Sequence, residues 1–253
     1  LLFTDLERLE RIVSNDKRPV LFIFAGKAHP SDRMGLELIK RVIELSNDRR
    51  FIGKIIFLED YDLNIARQLV SGVDVWMNNP RRGLEACGTS GQKVIINGVL
   101  NFSVMDGWWA EGYDGANGFL IGPEQNEFTG FEDPAAADNI DSKSLYETLE
   151  NVIVPAFYER DSTGIPQEWM RMVKRSMITL APKFNARRMA HQYLNEMYLA
   201  TARRGRALSR DNYALARELA DWKLRVPMRF SSVRPIDVSF EGIHGDTINV
   251  GSP

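Results

Sequence analysis

The 253 residues carry a formal net charge of −2, a balance that calls for neither nucleic acid nor an anionic membrane surface as partner. No apolar run is long enough to span a bilayer and no secretory leader is recognisable. The single cysteine, Cys87, excludes an internal disulfide framework and suits a reducing cytoplasm, and His29, His191 and His244 lack metal-ligand spacing, so no metal site is expected.

Apolar residues at Phe3, Leu6, Leu9 and Val13, with charges between them, predict an amphipathic helix over residues 3–13. Residues 20–24 form a continuous apolar run between Pro19 and Gly26, which reads as a strand buried on both faces. Ser31 or Asp32 can cap the next helix, with Met34, Leu38, Ile39, Val42 and Ile43 on its core side. Residues 55–58 read as a second strand, 62–70 as a short helix and 73–77 as a third strand. A small-residue turn and a helix around Lys93 follow, and then strands over 99–104 and 119–121. Strands alternating with helices predict an α/β fold, an open, mostly parallel, Rossmann-like sheet with helices on both faces. Residues 122–140 read as a polar surface loop, Asp141 as the cap of a helix to 154, and Pro155 as its kink or end. Further helices are expected from Pro166 to about 180, over 185–204 with Met189, Tyr193, Leu194 and Met197 on one side, and over 210–224. Residues 236–240 and 247–250 alternate like strands of a truncated β element. The expected organisation is a lobe over 1–205, with a helical part from 141, a linking helix over 206–230 and the β element over 231–253. Leu1 is not methionine and Gly251-Ser252-Pro253 closely follows a strand-like run, so both ends read as cuts through a longer polypeptide.

The segment Glu85-Ala86-Cys87-Gly88-Thr89-Ser90-Gly91-Gln92-Lys93 carries the chemistry. It lies beyond the carboxyl end of a strand, where ligands bind in open α/β sheets. A helix N-terminus presents free N–H groups and partial positive charge to a phosphate. Lys93 stands four residues after Thr89, on the same helical face. A phosphate cradle beside an amine is what a pyridoxal phosphate site needs. On spacing alone an ordinary exposed helix lysine fits equally, because small-residue turns before helices are common.

Further blocks stand in order around that segment. They are Ala25-Gly26-Lys27-Ala28-His29-Pro30, Leu58-Glu59-Asp60-Tyr61, Asn97-Gly98-Val99-Leu100 and Met105-Asp106-Gly107-Trp108-Trp109-Ala110-Glu111-Gly112-Tyr113. Together they resemble the C-terminal half of α-glucan phosphorylases, the glycogen and maltodextrin phosphorylase family. The Trp-Trp-Ala-Glu-Gly-Tyr block is similar to the bacterial and archaeal branch. The resemblance is dense over 18–122 and looser to about 205.

It implies the C-terminal lobe of a GT-B glycosyltransferase, a covalently held pyridoxal 5'-phosphate, and reversible phosphorolysis of terminal α-1,4-linked glucose to glucose 1-phosphate. The implied partners are an α-1,4-glucan or maltodextrin, inorganic phosphate, glucose 1-phosphate and a missing N-terminal lobe; family members often dimerise. By motif position Lys93 matches the lysine that carries the cofactor, and Thr89, Ser90 and Gly91 match its phosphate turn. Glu85, Ala86, Cys87 and Gly88 match the segment that grips glucose hydroxyls, and Tyr61 matches a tyrosine near the cofactor. The family's basic Tyr-Lys-Arg block, just upstream of the helix matching 1–13, is absent. Tyr61 is followed by Asp62 where animal members have arginine, and Cys87 stands where many relatives have serine. The fragment is therefore expected to be inactive alone. Alternative readings are a nucleotide-sugar glycosyltransferase of the same architecture, which would not need Lys93, and a non-catalytic glucan- or cofactor-binding module. Trp108 and Trp109 fit sugar stacking or buried packing, Lys27 with His29 fits phosphate binding or a solvated loop, and the arginines over 203–210 fit a solvated face.

Overall fold

The computed structural model describes residues 1–124, 133–230 and 232–234. The chain divides into two units, Leu1–Arg188 and Met189–Pro253.

In the first unit the apolar runs become five strands, β1 (Phe22–Ala25), β2 (Ile55–Leu58), β3 (Val75–Asn78), β4 (Leu100–Val104) and β5 (Phe119–Ile121). All pairings are parallel: β1 with β2, and β3 with β4 with β5. The parallel α/β architecture agrees with the sequence, but the strands form two sheets rather than one. Burial follows that division. Every residue of β4, which has a neighbour on each side, is buried. β1 and β3 hold no buried residue, and Ile23 is 42% exposed. The expectation of a first strand buried on both faces therefore fails, because one edge of β1 has no strand beside it.

Side-chain caps set the helix starts. Asp5 caps α1 (Leu6–Val13), Asp32 caps α2 (Arg33–Ser46) and Asp62 caps α3 (Leu63–Gly72), each carboxylate accepting from an N–H in the first turn. On α2 only Val42 and Leu45 are buried, near the carboxyl end. Met34, Leu38 and Ile43, expected inside, are exposed, because burial is confined to the last turns of this helix.

After β5 the chain departs further from expectation. Asp133, not Asp141, caps the helix: it accepts from the N–H groups of Ala135 and Ala136, with Pro134 at the first helical position. α6 therefore spans Pro134–Thr148, and residues 134–140 are helix rather than loop. Asp141 lies inside it, buried against Arg82. Pro155 has no N–H to offer the helix, and the backbone widens into a π turn (Leu149–Ile153) before α7 (Val154–Tyr158). Arg8 of α1 grips Glu150 of this turn through Nε and Nη2. The Tyr146 hydroxyl donates to the carbonyls of Leu2 and Asp5, fastening the N-terminal residues to α6. α8 (Gln167–Leu180) sends Trp169 against Phe119 and Phe157 in the main core. A smaller core joins Ile95, Trp108, Trp109 and Leu180.

The second unit contains the end of α9 (Ala186–Gln192), a π turn (Tyr193–Tyr198) and α10 (Leu199–Phe230), broken where Arg210–Tyr213 leave helical geometry. Met189, Tyr193, Leu194 and Met197, expected on one side of a helix, are all exposed. Their periodicity marks a helical face, which nothing described in this unit buries. The arginines over 203–210 are exposed, as a solvated face requires. The strands expected over 236–240 and 247–250 lie outside the described residues.

Candidate cofactor and sugar site

Three strand ends supply the candidate residues. Beyond β2, Asp60 adopts a left-handed backbone (φ 54°), a conformation Asp tolerates better than most residues. It is followed by Tyr61, half-buried on the wall of a cavity between β1 and β3. Asp62 then turns its carboxylate onto the N–H groups of Ile65 and Asn64. These bonds, that of Ile65 foremost, hold its carboxyl below the usual range, with the Asn64 side chain and the charge of Lys27 adding to them. Asp62 is thus a helix cap.

Beyond β3 the turn begins at Glu85 and opens α4 (Thr89–Val94). It is lashed to the end of β4. Asp106 accepts from the Glu85 N–H with Oδ2 at 3.0 Å and from the Gly107 N–H with Oδ1 at 2.8 Å. The Trp108 N–H donates to the Cys87 carbonyl at 2.8 Å. Within the turn, the Glu85 carboxylate accepts from the Cys87 N–H at 3.4 Å, and the Gly91 N–H donates to the Gly88 carbonyl at 3.2 Å. Gly88 makes the corner with φ +79°, a left-handed conformation that costs a residue with a Cβ about 1–2 kcal/mol. Gly91 is there for proximity. A Cβ at this position would stand 2.6 Å from Asn101 Oδ1 and 2.9 Å from the Trp108 ring. The absent side chain lets α4 settle onto β4 and α5 (Gly107–Gly112).

This packing decides which groups remain free. Glu85 and Ser90 are half-buried, whereas Ala86, Cys87, Thr89 and Lys93 are exposed. Thr89 and Ser90 open the helix, so their N–H groups have no carbonyl one turn earlier within it. The Ser90 hydroxyl accepts from Trp76 Nε1 at 3.1 Å, leaving its own proton to donate. Among the described residues Lys93 enters no ion pair. Hence Glu85, Ala86, Cys87, Gly88, Thr89, Ser90, Gly91 and Lys93 share one braced turn. Tyr61 stands beyond β2, in the other sheet, and no described hydrogen bond joins it to that turn.

Trp108 and Trp109 are 3% and 0% exposed, and the Trp109 indole donates to the Phe119 carbonyl. They are packing residues with no ring face open to a sugar. Sequence reasoning did not find the bracing by Asp106 or the Trp76–Ser90 bond. The aspartate directly before Gly107 could have signalled the first, as a cap. Among the described residues there is no cluster of three potential metal ligands, and no helix is long and apolar enough to cross a membrane.

A family model for carbohydrate phosphorylase matches residues 2–204. The chain belongs to the carbohydrate phosphorylase family. It is 47% identical over 227 residues to maltodextrin phosphorylase of Thermococcus litoralis, covering 89% of this chain and 26% of that protein. Glycogen phosphorylase of Aquifex aeolicus is 46% identical over 198 residues, covering 78% of this chain and 28% of that protein. Glycogen phosphorylase of Mycobacterium tuberculosis is 41% identical over 252 residues, covering 100% of this chain and 29% of that protein. The chain therefore spans between a quarter and a third of the length of these curated relatives.

Proposed function

We propose that this chain is the cofactor-holding part of a pyridoxal-phosphate-dependent α-glucan phosphorylase. The overall reaction transfers a terminal α-1,4-linked glucose from the glucan to inorganic phosphate. The glycosidic C–O bond breaks, a phosphate oxygen bonds to C1, and a proton passes to the leaving glucan oxygen. The observation that carries the reading is the exposed Lys93 amine, free of ion pairs among the described residues, one helical turn after Thr89 in a turn braced from β4.

The donor set suits the cofactor. The Thr89 hydroxyl, the Ser90 hydroxyl proton and the free N–H groups that open α4 would hold its phosphate, and Lys93 would tether its aldehyde carbon. When bound, the cofactor supplies a phosphate whose second ionisation near pH ~6 suits proton exchange at neutral pH. Glu85 and the backbone of Ala86, Cys87 and Gly88 would orient glucose hydroxyls. The Cys87 thiol is a weak hydrogen-bonding group, so the backbone carries most of that grip. Tyr61, beyond β2 and on the wall of the cavity between β1 and β3, would flank the cofactor. Two phosphates brought together repel, and the cations that offset this repulsion come from outside the braced turn. A cytoplasmic setting fits a chain with one cysteine and this substrate class.

The test is to incubate the chain with pyridoxal phosphate, reduce with borohydride and map the modified lysine. One dominant adduct at Lys93, lost in Lys93→Arg, is expected. Label spread over surface lysines with none at Lys93 would overturn the assignment and favour a sugar-nucleotide transferase of similar architecture. The parent polypeptide should release glucose 1-phosphate from maltodextrin and phosphate, and the 253-residue chain alone should not.

A further inference from the structure

The two faces of β3 and β4 differ in chemistry. In the register of this pair Val75 stands beside Leu100 and Met77 beside Phe102, while Trp76 stands beside Asn101 and Asn78 beside Ser103. The alternation of an extended chain puts the first four on one face and the last four on the other. The apolar four belong to the main core or pack against it. The other face is polar, although strands inside a parallel sheet are commonly apolar on both sides. Asn101 and Ser103 are each only 2% exposed.

Three side chains of this polar face reach the turn that opens α4. The Trp76 indole donates to the Ser90 hydroxyl. Asn78 Nδ2 lies 3.5 Å from the point where a Cβ on Gly88 would stand, and Asn101 Oδ1 lies 2.6 Å from the corresponding point on Gly91. Thr89 and Lys93 are exposed, whereas Gly91, midway between them, is buried. Residues two apart point to different sides of a helix, so Asn101 backs the turn on the side away from the Thr89 hydroxyl and the Lys93 amine. Among the described residues, Asn101 is also the one whose side-chain nitrogen and oxygen are both buried without a hydrogen-bond partner. A buried amide in that condition costs stability that an apolar side chain of similar shape would not. The cost falls directly behind the candidate phosphate turn.

We propose that Asn101 is a positioning residue for that turn, its amide bracing the Gly91 main chain from behind as the N–H groups of Thr89 and Ser90 close on the cofactor phosphate. The proposal rests on the pyridoxal phosphate reading above. Asn101 touches neither the phosphate nor the aldehyde carbon; it acts through the main chain of α4. An amide offers two donors and an acceptor, so it can meet an N–H or a carbonyl at Gly91 as the turn tightens. Those bonds belong to the complex with the phosphate. The amide therefore lowers the stability of the chain alone and raises its affinity for the cofactor. An apolar replacement moves the two quantities in opposite directions, which a merely structural residue does not do.

The experiment measures the urea midpoint and the affinity for pyridoxal phosphate on the same variants of the 253-residue chain. Affinity is read from imine absorbance at equilibrium, and borohydride reduction with peptide mapping locates the adduct. Pyridoxal, which carries the aldehyde without the phosphate, is the companion probe. Asn101→Leu should raise the midpoint without cofactor and weaken pyridoxal phosphate binding about ten-fold, with pyridoxal affinity held within a factor of about two. The rise in midpoint produced by saturating pyridoxal phosphate should be smaller in this variant than in the unsubstituted chain. Leu100→Ala, on the opposite face of β4, should lower the midpoint and leave both affinities unchanged. Should Asn101→Leu fail to fold, Asn101→Ala, which adds no bulk beside Gly91, decides by the difference between the two probes. Unchanged affinity for pyridoxal phosphate, or an equal loss for pyridoxal, would overturn the proposal while leaving the cofactor reading intact. A lower midpoint for Asn101→Leu without cofactor would do the same, as expected if a buried water already satisfies the amide. So would an affinity loss in Leu100→Ala as large as that in Asn101→Leu. Absence of a Lys93 adduct in the unsubstituted chain would defeat the cofactor reading, and this proposal with it.

Discussion

Arg81 and Arg82 are adjacent, and each pairs with an aspartate of α6, yet their substitutions should differ several-fold in cost. Arg82 is 5% exposed. Its Nε and Nη2 reach Asp141 at 3.1 and 2.7 Å, Nη2 also donates to the Ile121 carbonyl at 3.0 Å, and Nη1 donates to the Pro123 carbonyl at 3.3 Å. Arg82→Ala leaves the Asp141 carboxylate, 4% exposed, without its counter-ion and strips the donor from a buried carbonyl. Orphaning a buried charge in this way costs about 3–5 kcal/mol. Arg81 binds Asp138 at 2.8 Å, but the two side chains are 52% and 32% exposed, and water replaces the partner. Arg81→Ala should cost about 0.2–1 kcal/mol. In urea unfolding with a slope of about 2 kcal/mol/M, these figures become midpoint shifts of roughly 2 M and less than 0.5 M. Arg82→Met combined with Asp141→Leu removes both charges and should recover most of the loss. Equal shifts for the two single arginine variants, or a double variant as unstable as Arg82→Ala, would refute the reasoning.

Gly91→Ala should push α4 off β4 by forcing a methyl against Asn101 and Trp108, lowering cofactor labelling at Lys93 and costing about 1–3 kcal/mol; labelling at the parent rate would refute the close approach. Thr89→Val should weaken cofactor binding by about 1–2 kcal/mol in a spectroscopic titration of the parent protein, and an unchanged affinity would count against the phosphate cradle. The Asn101 amide is buried with neither side-chain atom hydrogen-bonded among the described residues, so Asn101→Leu should add about 1–2 kcal/mol of stability, read as a higher rather than a lower urea midpoint. Burial pushes the Tyr146 phenol up to about 12, so the fold favours the neutral form. Its contribution is complete below the ordinary value near ~10 and is lost as pH rises through about 12; a Tyr146→Phe chain should show a flatter alkaline decline in stability over that window.

The strands were legible because each is a short apolar run closed by turn residues, and periods of that kind survive without knowledge of their neighbours. Asp32 was readable as a cap for a local reason, since the N–H group it accepts from lies three residues away; Asp62, placed at the start of its helix, proves to cap it in the same local way. Asp141 misled for the same reason in reverse. It precedes a strongly amphipathic stretch, while the true start, Asp133-Pro134, introduces an alanine-rich turn with little apolar pattern. Its actual partner, Arg82, lies 59 residues away, a distance at which no local pattern can report it. The half-open state of β1 was equally out of reach, because a strand's own sequence encodes that it should be covered and not what covers it. At the candidate site, the order Glu85 to Lys93 was visible as chemistry. The bracing that holds it, from Asp106 and Trp76, depends on strands brought together by the sheet.

Cys87 is the only cysteine in the sequence, and its thiol is exposed in the turn that opens α4. The molecule therefore carries a built-in attachment point for a fluorophore or spin label at the candidate site, with one label per chain and no engineered residue. Its rate of alkylation would report occupancy of that turn by sugar or cofactor in real time. The same feature is a vulnerability. Under the sugar-binding role proposed above, oxidation there as far as a sulfinate or sulfonate would put a negative charge into the turn.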